Sequence, residues 1–159
     1  MTYTCLIDSP IGEMRASAQH DALIGLWFVG QKYYPTQLDN RIDSPNYHVF
    51  TKLRSWLSDY FAGRNPAQTI PLSPDGTDFQ RSVWDILIKI PYGHTVTYGD
   101  IAKQLGSSSR AVGGAVGHNP ISLVIPCHRV MGANGAITGF AGGCDKKIAL
   151  LNLEHNLEV

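Results

Sequence analysis

The residues best suited to chemistry sit in one short run, Pro126-Cys127-His128-Arg129. A cysteine beside a histidine suggests a thiol whose proton a neighbouring base can take, leaving sulfur as a nucleophile. The plain alternative is a buried structural cysteine, the commonest fate of this residue in a reduced protein. Adjacency does not guarantee contact. In an extended backbone neighbouring side chains point to opposite faces. His128 can therefore serve Cys127 only if the segment bends or a water bridges them. A histidine base also works better when a carboxylate orients it. Glu154 and Asp100 are the candidates, although a solvated helix face is the simpler reading of Glu154. Gly132 to Gly143 holds five glycines in twelve residues and must be a loop, a small-residue rim beside the thiol. Within it, Phe140 either stacks on a flat ligand or tucks into the core. Tyr98 is a proton donor if it points into the same cavity, and a packing residue if it does not. Cys144 reads as structural. Cys5, His20, His48 and His94 have no recognised metal-ligand spacing. With no phosphate loop and no dinucleotide fingerprint, we expect no metal and no cofactor.

The surrounding pattern says what positions these groups. Tyr3–Ile7, Glu13–Ala18 and Leu23–Val29 are short β-prone runs separated by turns, a β-meander. Residues 30–45 are turn-rich and receive no regular structure. Val49, Phe50, Leu53, Trp56, Leu57, Tyr60 and Phe61 fall at helical spacing, and Gly63 ends that helix. Pro66, Pro71, Pro74 and Gly76 mark 65–76 as a linker. Beyond it, Thr77 or Asp78 caps a helix whose core face is Phe79, Val83, Trp84, Leu87 and Ile90. Ile121–Ile125 reads as a buried strand or extended segment, and 145 to about 156 as a closing helix. The fold class is α/β (α+β), with a small sheet-and-helix unit over 1–75 and a mainly helical domain over 76–159.

Tyr98–Leu105, a Gly-Ser-Ser-Ser turn and Arg110–Val116 have the dimensions of a helix-turn-helix, or of a plain helical hairpin. Two details favour the first. Gly113 and Gly114 inside the second helix cost roughly 1 kcal/mol each relative to alanine, so something should require them. With Ala111 they make a face that another surface can approach closely, whether a helix or a groove and its phosphates. Ser109 belongs to the capping turn, and Arg110 sits at the end where recognition helices place their reading side chains.

The chain has 159 residues, 43% apolar and 16% charged, which suits a globular core. No apolar run approaches the roughly 20 residues a membrane span needs, and no signal peptide is visible at the start. Three scattered cysteines fit a reducing compartment, hence a cytoplasmic setting. The formal net charge is zero but unevenly spread: residues 1–80 carry 6 Lys/Arg and 8 Asp/Glu, residues 81–147 carry 7 and 3. A modestly basic second half is compatible with a small DNA footprint and does not prove one.

Five blocks in order resemble the O6-alkylguanine-DNA alkyltransferases. They are Phe79…Val83-Trp84…Ile90-Pro91-Tyr92-Gly93; Val96-Thr97-Tyr98-Gly99-Asp100-Ile101-Ala102; Ser109-Arg110-Ala111-Val112-Gly113-Gly114-Ala115 with Asn119-Pro120; Ile125-Pro126-Cys127-His128-Arg129-Val130; and Gly139-Phe140-Ala141-Gly142-Gly143 leading to Lys147…Leu150-Leu151…Glu154. The match covers almost half the chain; the N-terminal half is similar only in outline. The resemblance implies a single-turnover DNA-repair enzyme acting on double-stranded DNA bearing O6-alkylguanine, a monomer with cooperative assembly on DNA left open. It implies that the second helix enters the minor groove and that Arg110 fills the gap left by a flipped base, with Ser109, Ala111, Gly113 and Gly114 against the DNA. Cys127 would attack the alkyl carbon, and Tyr98 would protonate the leaving guanine. His128, through a water and oriented by Glu154, would keep Cys127 ionised. Asn119 would fix the turn to the active-site segment, and Phe140, Ala141, Arg129 and Val130 would shape or position the base pocket.

Three positions depart from the pattern. Phe140 stands where many relatives have tyrosine, Ala141 where some have serine, and Cys144 where an aliphatic residue is usual. The zinc site of some relatives finds no matching Cys/His set here. Two rival functions remain on sequence. A lesion-binding relative that flips but does not react would lack the nucleophile that Cys127 supplies. A turnover thiol hydrolase using Cys127 and His128 would explain neither Arg110 nor the glycine-bearing helix.

Overall fold

The computed structural model describes residues 1–36 and 40–155. Three antiparallel strands open the chain: β1 (Thr2–Ser9), β2 (Gly12–Gln19) and β3 (Ala22–Phe28). Alternation works as the side-chain period of a strand dictates: Cys5 and Ile7 face the core while Leu6 and Asp8 face out. The turn-rich stretch does contain structure. β4 (Arg41–Asp43) pairs in parallel with β1, giving the sheet order β3-β2-β1-β4. Three residues carry too short a pattern to be read as a strand; the exposed edge of β1 supplies the pairing that makes them one.

α1 (His48–Phe61) lays Val49, Phe50, Leu53, Leu57 and Tyr60 on the sheet. The chain then returns along the free edge of β3. Leu23 N–H donates to Pro71 O at 2.8 Å and Ser73 N–H to Leu23 O at 2.9 Å. Further along the same edge, Leu26 N–H donates to Pro120 O at 2.8 Å and Ser122 N–H to Leu26 O at 2.9 Å. The 65–76 stretch is thus fastened to the sheet, and buried residues from both halves of the chain form one continuous core.

α2 (Asp78–Ile88) starts at a capping box between Thr77 and Gln80. Val83, Trp84 and Leu87 are buried as expected; Phe79 is not, being 36% exposed at the first turn. Ile90 is buried but lies beyond the helix end. β5 (Val96–Thr97) leads into α3 (Tyr98–Leu105), which ends at Gly106 in the left-handed conformation. α4 (Ser109–Gly117) follows with Ser108 as its N-cap. Ile121–Ile125 is buried but is a turn, not a strand: Ile125 N–H reaches Ile121 O at 2.9 Å, and Leu123 has φ +70°. Hydrophobicity reported its burial correctly and its shape incorrectly. β6 (Val130–Met131) pairs in parallel with β5, and α5 (Cys144–His155) closes the described chain; Asn156 and Glu158 lie outside the described residues. None of the described helices is long and apolar enough to cross a membrane.

Candidate active site and DNA-facing surface

Cys127, His128 and Arg129 form one turn of 3-10 helix. The segment therefore bends, which removes the objection that an extended backbone would hold the two side chains apart. His128 is wholly buried, and its Nε2 lies 2.5 Å from Glu154 Oε2. Glu154 is buried too, against the simpler reading of a solvated face. Asp100, the other carboxylate considered, is spent on the capping box of α3 and lies exposed.

Every lone pair that Glu154 offers is engaged. Arg129 Nε donates to Oε1 at 2.7 Å and Nη2 to Oε2 at 3.1 Å, the forked geometry that makes arginine–carboxylate pairs strong. Tyr60 Oη donates to Oε2 at 2.6 Å, and Gly93 N–H to Oε1 at 3.4 Å. Burial alone would raise the Glu154 pKa; the bonds from His128, Arg129 and Tyr60 outweigh it and hold the carboxyl well below the usual range. Burial and the Glu154 charge push Tyr60 far above its ordinary value, so it remains a donor. Burial likewise lowers His128, against the pull of Glu154, which favours the neutral ring. With Nε2–H given to Glu154, the lone pair falls on Nδ1, which has no partner among the described residues. The ring is held by Glu154 on one side and keeps its other nitrogen unpaired among the described residues.

The thiol is held differently. Burial pushes Cys127 above its ordinary pKa; a hydrogen bond from Asn119 and the charge of Lys147 oppose it without winning. Burial thus works against the thiolate and for the neutral ring, while Asn119 and Lys147 favour the thiolate and Glu154 the charged ring. Asn119 is buried, donating to Ile125 O at 2.8 Å and accepting from Ile121 N–H at 3.0 Å, so it ties the end of α4 to the thiol-bearing turn. Lys147 is fully buried on α5, donating to Val130 O at 2.6 Å and Thr138 O at 2.8 Å. Val130 is buried in β6, and neither it nor Arg129 lines the cavity in front of the sulfur. Both position what does.

That cavity measures about 280 Å³. Cys127 lies in its wall with Tyr98, Phe140 and Ala141, and α4 closes one side with Gly113, Gly114, Val116 and Gly117. Tyr98 Oη donates to Gly139 O at 3.4 Å, and burial raises its pKa. Phe140 lines the cavity and meets Phe28 edge-on at 6.4 Å. Cys5 is an inert core thiol, its pKa pushed up to about 11 chiefly by burial. Cys144, expected to be structural, is exposed at the first turn of α5.

α4 is two-faced. Val112, Ala115 and Val116 are buried, while Ser109, Arg110, Ala111 and Gly114 are exposed. The glycines have no internal explanation. A β-carbon on Gly114 would meet nothing within 4 Å, and one on Gly113 only the Tyr98 ring at 4.0 Å.

Tyr60, Lys147 and the pair Lys32–Tyr33, which lines the cavity from the N-terminal side, were not legible as functional groups. Tyr60 gave one signal: a tyrosine on the core stripe of α1 needs a buried partner for its hydroxyl. Among the described residues no cluster of three or more His, Cys, Asp or Glu side chains is placed to hold a metal.

Residues 78–156 match the family model described as the DNA-binding domain of 6-O-methylguanine DNA methyltransferase, and residues 1–74 its ribonuclease-like domain. The chain belongs to the 6-O-methylguanine DNA methyltransferase family. Membership makes it a methyltransferase of DNA repair. A methylated-DNA–protein-cysteine methyltransferase from Mycobacterium bovis is 44% identical, covering 94% of this chain and 90% of the relative. One of the same name from Methanosarcina acetivorans is 43% identical over 96% and 97%. The crystal structure of Mycobacterium tuberculosis OGT in complex with DNA superposes with a TM-score of 0.89 at 42% identity, covering 97% of this chain and 93% of that one.

Proposed function

We propose that this protein repairs DNA by moving the alkyl group of an O6-alkylguanine onto its own Cys127, once per molecule. The observation that carries this reading is the shared cavity: the thiol and the backbone of α4 bound the same 280 Å³ space. A helix that meets DNA through Gly113 and Gly114 delivers a flipped base directly to the sulfur. Double-stranded DNA is the partner, met from the minor-groove side. Arg110, exposed on the first turn of α4, fills the gap in the base stack. Ser109 and Ala111 flank it on the same face.

In this reading Cys127 rests as a thiol and His128 as a neutral ring. As the sulfur attacks the alkyl carbon, the thiol proton passes to His128 Nδ1, directly or through one water. The S–C bond forms while the C–O6 bond breaks, and the electron pair stays on guanine O6. Tyr98 supplies the proton that neutralises it. The imidazolium then gives its proton to solvent and Tyr98 takes one back, so that both side chains are restored and the net transfer is one proton from thiol to guanine. Glu154 remains ionised and stabilises the imidazolium that forms. Phe140 stacks on the base, Ala141 leaves room beside it, and Asn119, Arg129 and Val130 hold the frame. The thioether is stable to ordinary exchange, so the molecule is consumed. We divide the labour between residues 1–75, which support the frame, and 76–159, which bind DNA and react. The three free cysteines suit a reducing, cytoplasmic setting.

The test is the fate of a labelled methyl group in a duplex. It should move to the wild-type protein and stay on the DNA with Cys127→Ser, which should still bind. A hydrolase would release label to solvent repeatedly and ignore the DNA. A lesion sensor would leave the label on DNA with the wild type as well.

A further inference from the structure

The α4 side of the cavity is poorly equipped to measure a substrate. Gly113, Gly114 and Gly117 present no side chains, and the base itself must occupy the space between α4 and Phe140. One wall comes from elsewhere: the turn after β3 brings Lys32 and Tyr33 to the cavity. Tyr33 is 51% exposed, yet it is not loose. Its ring stacks on His118 with centroids 3.8 Å apart and planes 22° from parallel. His118 is itself tied to α4 through Nδ1 and Gly114 O at 2.7 Å. Lys32 Nζ lies 5.1 Å from the Tyr33 centroid, and Lys32 N–H donates to Ala141 O at 3.2 Å, joining the turn to the 139–141 segment.

The turn is built to hold that ring. Gln31 is buried, and its Oε1 accepts Phe28 N–H at 2.9 Å. Tyr34 N–H donates to Gln31 O at 3.1 Å, and Tyr34 Oη accepts from Arg15 Nε at 2.8 Å. Tyr33 has φ +63°, a left-handed backbone that a side chain disfavours. Such a conformation persists where the surroundings over-determine it, and it collects at ligand sites.

We propose that Tyr33, seated on His118, sets the largest O6 substituent the cavity accepts. At about 280 Å³ the space lies near the lower end of the roughly 300–1,000 Å³ of small-molecule sites. A guanine with a small alkyl group fits such a volume; one with an aryl-sized group needs the wall to give way. The substituent class that Tyr33 discriminates is apolar and bulky. This inference rests on the proposed alkyl transfer.

The experiment is single-turnover repair of duplexes carrying O6-methylguanine or O6-benzylguanine, each rate on the bulky lesion divided by the same protein's methyl rate. Tyr33→Gly removes the ring and suits the left-handed backbone, so misfolding does not account for the outcome. It should raise the benzyl-to-methyl ratio at least tenfold. Tyr33→Phe keeps the ring and should keep the wild-type ratio. His118→Ala frees the ring and should raise the ratio by a smaller factor. An unchanged ratio in Tyr33→Gly overturns the proposal, as does an equal rise in Tyr33→Phe. Absence of methyl transfer by the wild type in the same assay would instead overturn the underlying reading, and this one with it.

Discussion

Behind the Cys127 sulfur almost every polar group is paired; in front of it almost none is. The rear wall is Tyr60, Glu154, His128 and Arg129, drawn from α1, α5 and the 3-10 turn and closed by hydrogen bonds of 2.5–3.1 Å. The front is the glycine face of α4, the 139–141 segment and exposed Arg110. The rear holds the His128 ring in place and leaves its Nδ1 unpaired among the described residues. The front leaves its needs to be met by another molecule. Catalysis and recognition are thus separated by the thickness of a single side chain.

The comparison breaks most completely at the boundary. Cys127→Ser should abolish alkyl transfer while leaving lesion binding within a few-fold, read by label transfer and by fluorescence anisotropy. Damage to the rear should register as stability. Glu154→Gln leaves Arg129 buried without its countercharge, and breaking such a pair costs about 3–5 kcal/mol, measured by urea unfolding. The sign with pH follows from the depressed carboxyl. Its contribution is fully present above the unfolded value of 4.5 and is lost as pH falls below it. The stability gap between wild type and variant should therefore close in acid.

Damage to the front should register as function alone. Arg110→Ala should slow repair and weaken binding on the order of tenfold to a hundredfold, equal to about 1–3 kcal/mol. Its unfolding free energy should stay within about 0.5 kcal/mol of wild type, as for an exposed site. The smallest change is the sharpest. Gly114→Ala should stabilise the fold by up to about 1 kcal/mol, some 2–4 °C in Tm, because the added carbon meets nothing in the chain. The same carbon should weaken duplex binding in a titration. A variant that gained stability and lost nothing on DNA would show that α4 is not the groove-facing helix.

Legibility followed the same divide. The three-strand meander, α1, the helix-turn-helix and the thiol were readable because each rests on local pattern or residue type. Gly113 and Gly114 were readable as an anomaly, and the structure leaves that anomaly unexplained from within. What was missed depends on distant pairing. β4 exists because β1 offers an edge, and Ile121–Ile125 is a turn because Asn119 caps it from inside. Tyr60 lies 94 residues from Glu154; no spacing rule reaches so far, and Glu154 itself, 26 residues from His128, was legible as its orienting carboxylate as one candidate and through the family resemblance. Phe79 was assigned inward by period, but first-turn position places it at the surface.

The central claim is that one thiol takes one alkyl group from DNA and is spent. Intact mass before and after mixing with a duplex holding one O6-methylguanine, followed by peptide mapping, tests it directly. The expected result is a single methyl increment on the peptide carrying Cys127, saturating at one per protein however much duplex is added. An unmodified, still-free thiol on protein that binds the duplex would contradict it.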